Sequence, residues 1–144
     1  MTINWNLIKT ASGFAGHIPE AIERLASANA EDRENAYWGI DNYAMLQSDL
    51  YEAAYYVIEP VLELLEKKYT VNRLLPLTIL IEIALGGNGN EIIKLIDNRG
   101  KEKSIYQACM DKLKFLYDRI SAIEVVEEDE KAEKTFLLET IREL

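Results

Sequence analysis

Residues 37–65 read YWGIDNYAMLQSDLYEAAYYVIEPVLELL, and their pattern decides the fold. Leu50, Ala53, Ala54, Val57, Ile58, Val61, Leu62 and Leu65 recur at spacings of three and four. At 3.6 residues per turn these positions make one apolar stripe, the mark of a helix with one buried face. The opposite face carries Glu52, Tyr55, Glu59, Glu63 and Glu66. Pro60 lies inside the pattern. It removes the bond to the carbonyl of Tyr56, which predicts a bend there or a break into two helices at Glu59.

Upstream, Asn29 is a cap for a helix from Ala30 to about Gln47. Ala36, Ile40, Tyr43 and Ala44 form its inner face; Glu34, Trp38, Asp41, Asn42 and Met45 form its outer one. Ser48 is placed to cap the next helix, so the two should make an antiparallel hairpin with a very short connection. An earlier helix starts near Pro19 and runs to about Ala28. Before it, TINWNLIKTASG predicts a short helix or an arm packed through Ile3, Trp5, Leu7 and Ile8.

Downstream, Asn72 to Leu85 is apolar on all sides, which predicts a buried helix. The run GGNGN at 86–90 has no preceding strand and no Gly-Lys-Ser/Thr ending, so it reads as a helix stop rather than a phosphate loop. Residues 91–103 suggest a short helix and a mobile basic loop. A long helix is predicted from Ser104 to Ile123, with Ile105, Cys109, Leu113, Leu116 and Ile120 inward. EVVEEDEKAEK then forms a turn into a last helix through Phe136, Leu137, Ile141 and Leu144. The expectation is a single all-α domain over residues 1–144, with six or seven helices in antiparallel pairs and no strand.

The chain has 144 residues, 49% of them hydrophobic, and a net charge of −9. Residues 20–66 hold 11 acids and 2 bases, whereas residues 67–119 hold 6 acids and 10 bases. Such a surface repels nucleic acid and anionic membranes and attracts basic partners; acidity that merely keeps the chain soluble is the alternative. The single cysteine has no internal disulfide partner, no secretory leader is recognisable, and the apolar run Leu74–Leu85 is short and holds Glu82. These features predict a cytoplasmic location and no membrane span.

No catalytic pattern emerges. His17 is the only histidine and has no base–nucleophile partner in sequence. No Glu-x-x-His accompanies Glu59, Glu63 and Glu66, so a solvated face is expected there rather than a metal site. No enzyme activity, metal or cofactor is expected. Trp38 stands out: an indole on the polar side of a helix is either covered by the N-terminal segments or an interface anchor.

The segment Tyr43–Leu65 resembles the recurrent core of a family of small bacterial HEAT-like helical proteins. There a helix ends in a Gln-containing turn, and a Tyr-x-Ala helix leads to a proline and a Leu-rich half. The matching positions are Gln47, Tyr51, Ala53, Pro60, Leu62, Leu64 and Leu65. Glu59 before the proline and Val61 after it depart from the usual apolar residue and Phe. The resemblance implies antiparallel hairpins stacked as a short HEAT-like α-solenoid. Many such proteins are immunity proteins encoded beside contact-dependent or other polymorphic toxins, so it also implies an inhibitor of one cognate toxin domain. Many of those toxins are cationic nucleases. The residues expected to meet a basic partner, one to one, are Glu34, Trp38, Asp41, Tyr51, Glu52, Tyr55 and Glu59. The alternative is a HEAT-like adaptor without a toxin partner.

Overall fold

The protein is described here by a computed structural model covering residues 3–67, 72–87, 93–96 and 99–144. A single 3-10 turn, Trp5–Leu7, leads into a small antiparallel hairpin, β1 (Lys9–Thr10) with β2 (Gly13–Phe14). Helix α1 (Ile18–Arg24) has Pro19 in its first turn, where the missing N–H costs nothing. Helix α2 (Ala30–Ala44) starts as expected: the Asn29 side chain accepts from the Asp32 amide at 3.1 Å.

The helix ends three residues before Gln47. At Met45 the backbone becomes extended and forms β3 (Met45–Leu46) and β4 (Asp49–Leu50), with Met45 opposite Leu50 and Leu46 opposite Asp49. Gln47 and Ser48 make the turn with φ of 50° and 71°. Two consecutive positive φ values fit the twist of a two-residue hairpin, at a cost for residues with a Cβ. Ser48 is therefore a turn residue and not a cap. Helix α3 (Glu52–Glu66) follows from extended Tyr51 without a side-chain cap, and Pro60 does not interrupt it. Its stripe is buried as the periodicity requires: Ala53, Ala54, Val57, Ile58, Val61 and Leu62 are fully inaccessible.

Helix α4 (Leu74–Ala84) is buried nearly all round. The hairpin β5 (Lys94–Ile96) with β6 (Glu102–Ser104) replaces the expected short helix and mobile loop; residues 91, 92, 97 and 98 of that stretch lie outside the described residues. The expected long helix is two: α5 (Ile105–Phe115), capped by the Ser104 hydroxyl, and α6 (Tyr117–Ser121), parted at Leu116. Helix α7 (Glu128–Arg142) begins within the acidic run, whose Glu128, Asp129 and Glu130 suit the positive end of the helix dipole.

The described chain is thus mostly helical, with seven helices and three small strand pairs. Helix α4 is central, packed by α2, α3, α5 and most closely by α7. The expectation of no strand was wrong at three connections, each too short to signal itself by alternation.

One close approach fixes the end of α4. A Cβ on Gly86 would lie 2.5 Å from Leu50 Cδ2 and 3.0 Å from the Ile83 carbonyl oxygen, so the β4 side chain packs where only glycine fits. The Gly87 amide donates to the Ser48 carbonyl at 2.6 Å. The β3–β4 hairpin is thereby held against the C-terminal end of α4.

Candidate functional site

That docking encloses a cavity of about 300 Å³ between the last turn of α2, the β3–β4 hairpin and the end of α4. Asp41, Asn42, Met45, Leu46, Gln47, Ser48, Glu82 and Leu85 line it. Leu46 and Leu85 are about half exposed, at 48% and 56%, giving the cavity an apolar rim.

Its wall holds two carboxylates and no cation among the described lining residues. Glu82, on α4, accepts at Oε1 from the Tyr37 hydroxyl of α2, and Asp41 of α2 lies in the same cavity wall. Burial, then the neighbouring Asp41, push Glu82 from 4.5 up to about 7, against the opposing effect of the Tyr37 bond. Burial and the Glu82 bond also push the Tyr37 hydroxyl well above its usual range.

Trp38 is the neighbour of Tyr37 on α2, its ring edge-on at 5.0 Å between centroids. It remains 47% exposed, so neither the N-terminal segments nor α1 covers it. Glu34, one turn earlier, is exposed, and Asp41, one turn later, lies in the cavity wall. Of the seven residues expected to meet a partner, these three share α2.

The other four are placed differently. Tyr51 precedes α3, and its amide donates to the Ala44 carbonyl at 3.0 Å. Glu52 accepts from the Lys9 amide at 3.3 Å, which ties α3 to β1. Tyr55 lies under Lys112 of α5, whose Nζ is 4.3 Å from the ring centroid, an arrangement favoured by the ring quadrupole. Glu59 is paired twice, with Arg119 at 3.2 Å and Lys112 at 3.8 Å. Arg119 also grips Glu66 with two nitrogens, at 2.6 and 3.1 Å, and these bonds hold Glu66 below the usual carboxylate range. The polar face of α3 is largely an internal seam with α5 and α6.

Sequence reasoning passed over Glu82 and Tyr37 as site residues. Glu82 had a signal: a lone acid inside an all-apolar helix has to be protonated or paired when buried. Nothing local marked Arg119, because its partners lie 53 and 60 residues away.

Other reactive groups are quiet. Cys109 is fully buried, and burial pushes its thiol up to about 12, so the thiolate nucleophile is not formed near neutral pH. His17 precedes α1, and its Nε2 donates to the Gly39 carbonyl at 2.8 Å, fastening α1 to α2. Among the described residues, no group of three or more His, Cys, Asp or Glu is placed to hold a metal ion, and no helix is long and apolar enough to cross a membrane. No known protein family matches the chain, and neither does any curated protein or solved structure.

Proposed function

We propose that the chain is an inhibitor of the immunity type: a non-enzymatic, HEAT-like helical protein that occludes a basic toxin domain in the cytoplasm. The observation that carries this reading is Trp38, exposed on the acidic face of α2 and one turn from a cavity with acidic walls and a leucine rim. A large amphipathic ring beside a concavity is the usual anatomy of an interface anchor. The net charge of −9 draws a cationic partner and speeds its encounter. Glu34 and Asp41 would pair with its Lys or Arg side chains, and Leu46 and Leu85 would cover their aliphatic stems.

Tyr55 and Glu59 are already engaged by Lys112 and Arg119, so the reading places the contact on α2 and the cavity rather than on α3. A HEAT-like stack fits the neighbouring packing of α1 on α2 and α2 on α3; the close packing of α4 on α7 adds a contact that a simple linear stack lacks.

Parallel capture from a lysate of the native host, with the wild-type chain and its Trp38→Ala variant as baits, tests the reading. The expected result is one basic protein in a 1:1 complex, released as salt rises, and at least about 30-fold weaker for the variant, the scale of a 2 kcal/mol anchor. Recovery of many unrelated proteins equally by both baits would instead indicate an adaptor and overturn the reading.

A further inference from the structure

Carboxylates at two places in the molecule are matched by cations of the chain itself. Glu59 and Glu66 of α3 take Arg119, and Asp111 of α5 takes Lys103 of β6. Asp41 of α2 and Glu82 of α4 belong to no ion pair among the described residues. Both line the cavity of about 300 Å³, each from its own helix, and no cation lines it with them among the described residues. The Tyr37 hydroxyl donates to Glu82 Oε1 and steadies that carboxyl from the α2 side. The cavity is a lined concavity whose charge nothing inside the chain answers.

We propose that the cavity between α2, the β3–β4 hairpin and α4 is a pocket for one arginine side chain of a partner protein, whose guanidinium is taken by Asp41 and Glu82. That a partner supplies the arginine rests on the inhibitor reading; the pocket's preference for a guanidinium does not. The volume lies at the bottom of the range for small-molecule sites, about 300–1,000 Å³, which suits one long side chain rather than a cofactor. A guanidinium carries five N–H donors in one plane and no acceptor. The lining answers with acceptors from three elements: the Asp41 carboxylate and Asn42 amide oxygen of α2, the Gln47 amide oxygen of the turn, and the Glu82 carboxylate of α4.

Leu46 and Leu85, half exposed at the rim, then lie along the aliphatic stem of the arginine. Lysine fits less well. Its ammonium is compact and strongly hydrated, and loses more water on passing a leucine rim than the weakly hydrated guanidinium does. The pocket is also formed in advance. Leu50 packed against Gly86, and the Gly87 amide on the Ser48 carbonyl at 2.6 Å, hold the hairpin to α4, so little ordering is left to be done on binding.

The test is an amide NMR titration of the whole chain with Nα-acetyl-arginine amide and with the matching lysine and citrulline compounds, at about pH 8 so that both carboxyl groups are ionised. Citrulline keeps the shape of arginine without its charge. Saturable shifts are expected with arginine at the end of α2, the β3–β4 turn and Leu85–Gly87, at least about fivefold weaker binding with lysine, and none with citrulline. Glu82→Gln keeps an acceptor for Tyr37 and should weaken the arginine compound about tenfold, the loss of one charge-assisted hydrogen bond. Glu63→Gln, on the exposed side of α3, should leave it unchanged. No shifts with arginine, equal binding of lysine, or an equal loss in Glu63→Gln would each overturn the pocket. Should Glu82→Gln fail to fold, Asp41→Asn and the comparison of the compounds on the wild-type chain decide. Lysate capture is a separate readout: a missing basic partner sinks the inhibitor reading and leaves the pocket standing, whereas a missing arginine signal sinks the pocket whatever is captured.

Discussion

At the seam between α3 and α6, Glu59 and Glu66 meet the guanidinium of Arg119; between α2 and α4, Glu82 takes a hydrogen bond from Tyr37 with Asp41 in the same cavity wall. Both places bring carboxylates from a helix surface into the packed region, and they neutralise them by different means. A guanidinium keeps its charge at every physiological pH, so the first seam stays paired. Burial pushes Glu82 up to about 7, so the charge at the second junction changes near neutral pH. The two also lie differently: the Arg119 network is partly solvated, with side-chain exposures near 40%, whereas Glu82 is set in the wall of a cavity. Identical residue types thus make a fixed seam in one half of the molecule and an adjustable one in the other.

The largest effect is expected where the β3–β4 hairpin docks on the end of α4. Gly86→Ala drives a methyl group into Leu50 and should cost about 1–3 kcal/mol in urea unfolding. Leu50→Ala in the same chain should recover part of that cost by making room. An unchanged midpoint for Gly86→Ala would break the picture of a hairpin pinned to α4.

Next in size is Arg119→Ala, at the fixed seam. It should cost about 1 kcal/mol, kept small by solvent screening of a network this exposed, and less still at high salt. Its pH signature runs opposite to that of Glu82. Glu66 is held below its usual 4.5, so its contribution is present above 4.5 and is lost as pH falls below it. In Arg119→Ala that acid-side loss of Tm should shrink, while the neutral-range slope due to Glu82 remains. If both slopes changed together, the two junctions would not be independent.

How much of this was legible beforehand follows from the range of the interactions. The stripe of α3, the Asn29 cap and the all-round apolar α4 rest on spacings of a few residues, and all three are in the fold. The short connection at Gln47 and Ser48 was expected, but the strands that flank it were missed, because neither turn residue is a glycine and each strand is only two residues long. The split at Leu116 was missed for a similar reason, since Leu113, Leu116 and Ile120 keep a helical spacing across it. For the candidate site, Trp38, Glu34 and Asp41 were identifiable as one helix face. That Glu59 is engaged within the fold depends on Lys112 and Arg119, both more than fifty residues on, which no local pattern encodes.

Smaller effects sharpen the comparison at its edges. Ser48→Gly relieves a side chain held at φ 71° and should raise stability by about 0.5–1 kcal/mol in chemical denaturation, net of glycine's greater unfolded-state freedom. A loss of stability there would mean that the serine side chain supports the cavity wall. Trp38→Ala should change the melting free energy by no more than about 0.5 kcal/mol, as befits a half-exposed ring on a surface helix. A larger loss would make the indole part of the fold rather than a free anchor.

The edge-on contact of Trp38 with Tyr37 has an optical consequence. The chain has two tryptophans, Trp5 in the N-terminal 3-10 turn and Trp38 on α2. Of these, only Trp38 touches the ring whose hydroxyl is bonded to Glu82. In a Trp5→Phe background the emission of the remaining indole becomes a reporter placed by the fold itself, recording both protonation at one end of the tyrosine and any molecule that settles on the other side of the tryptophan.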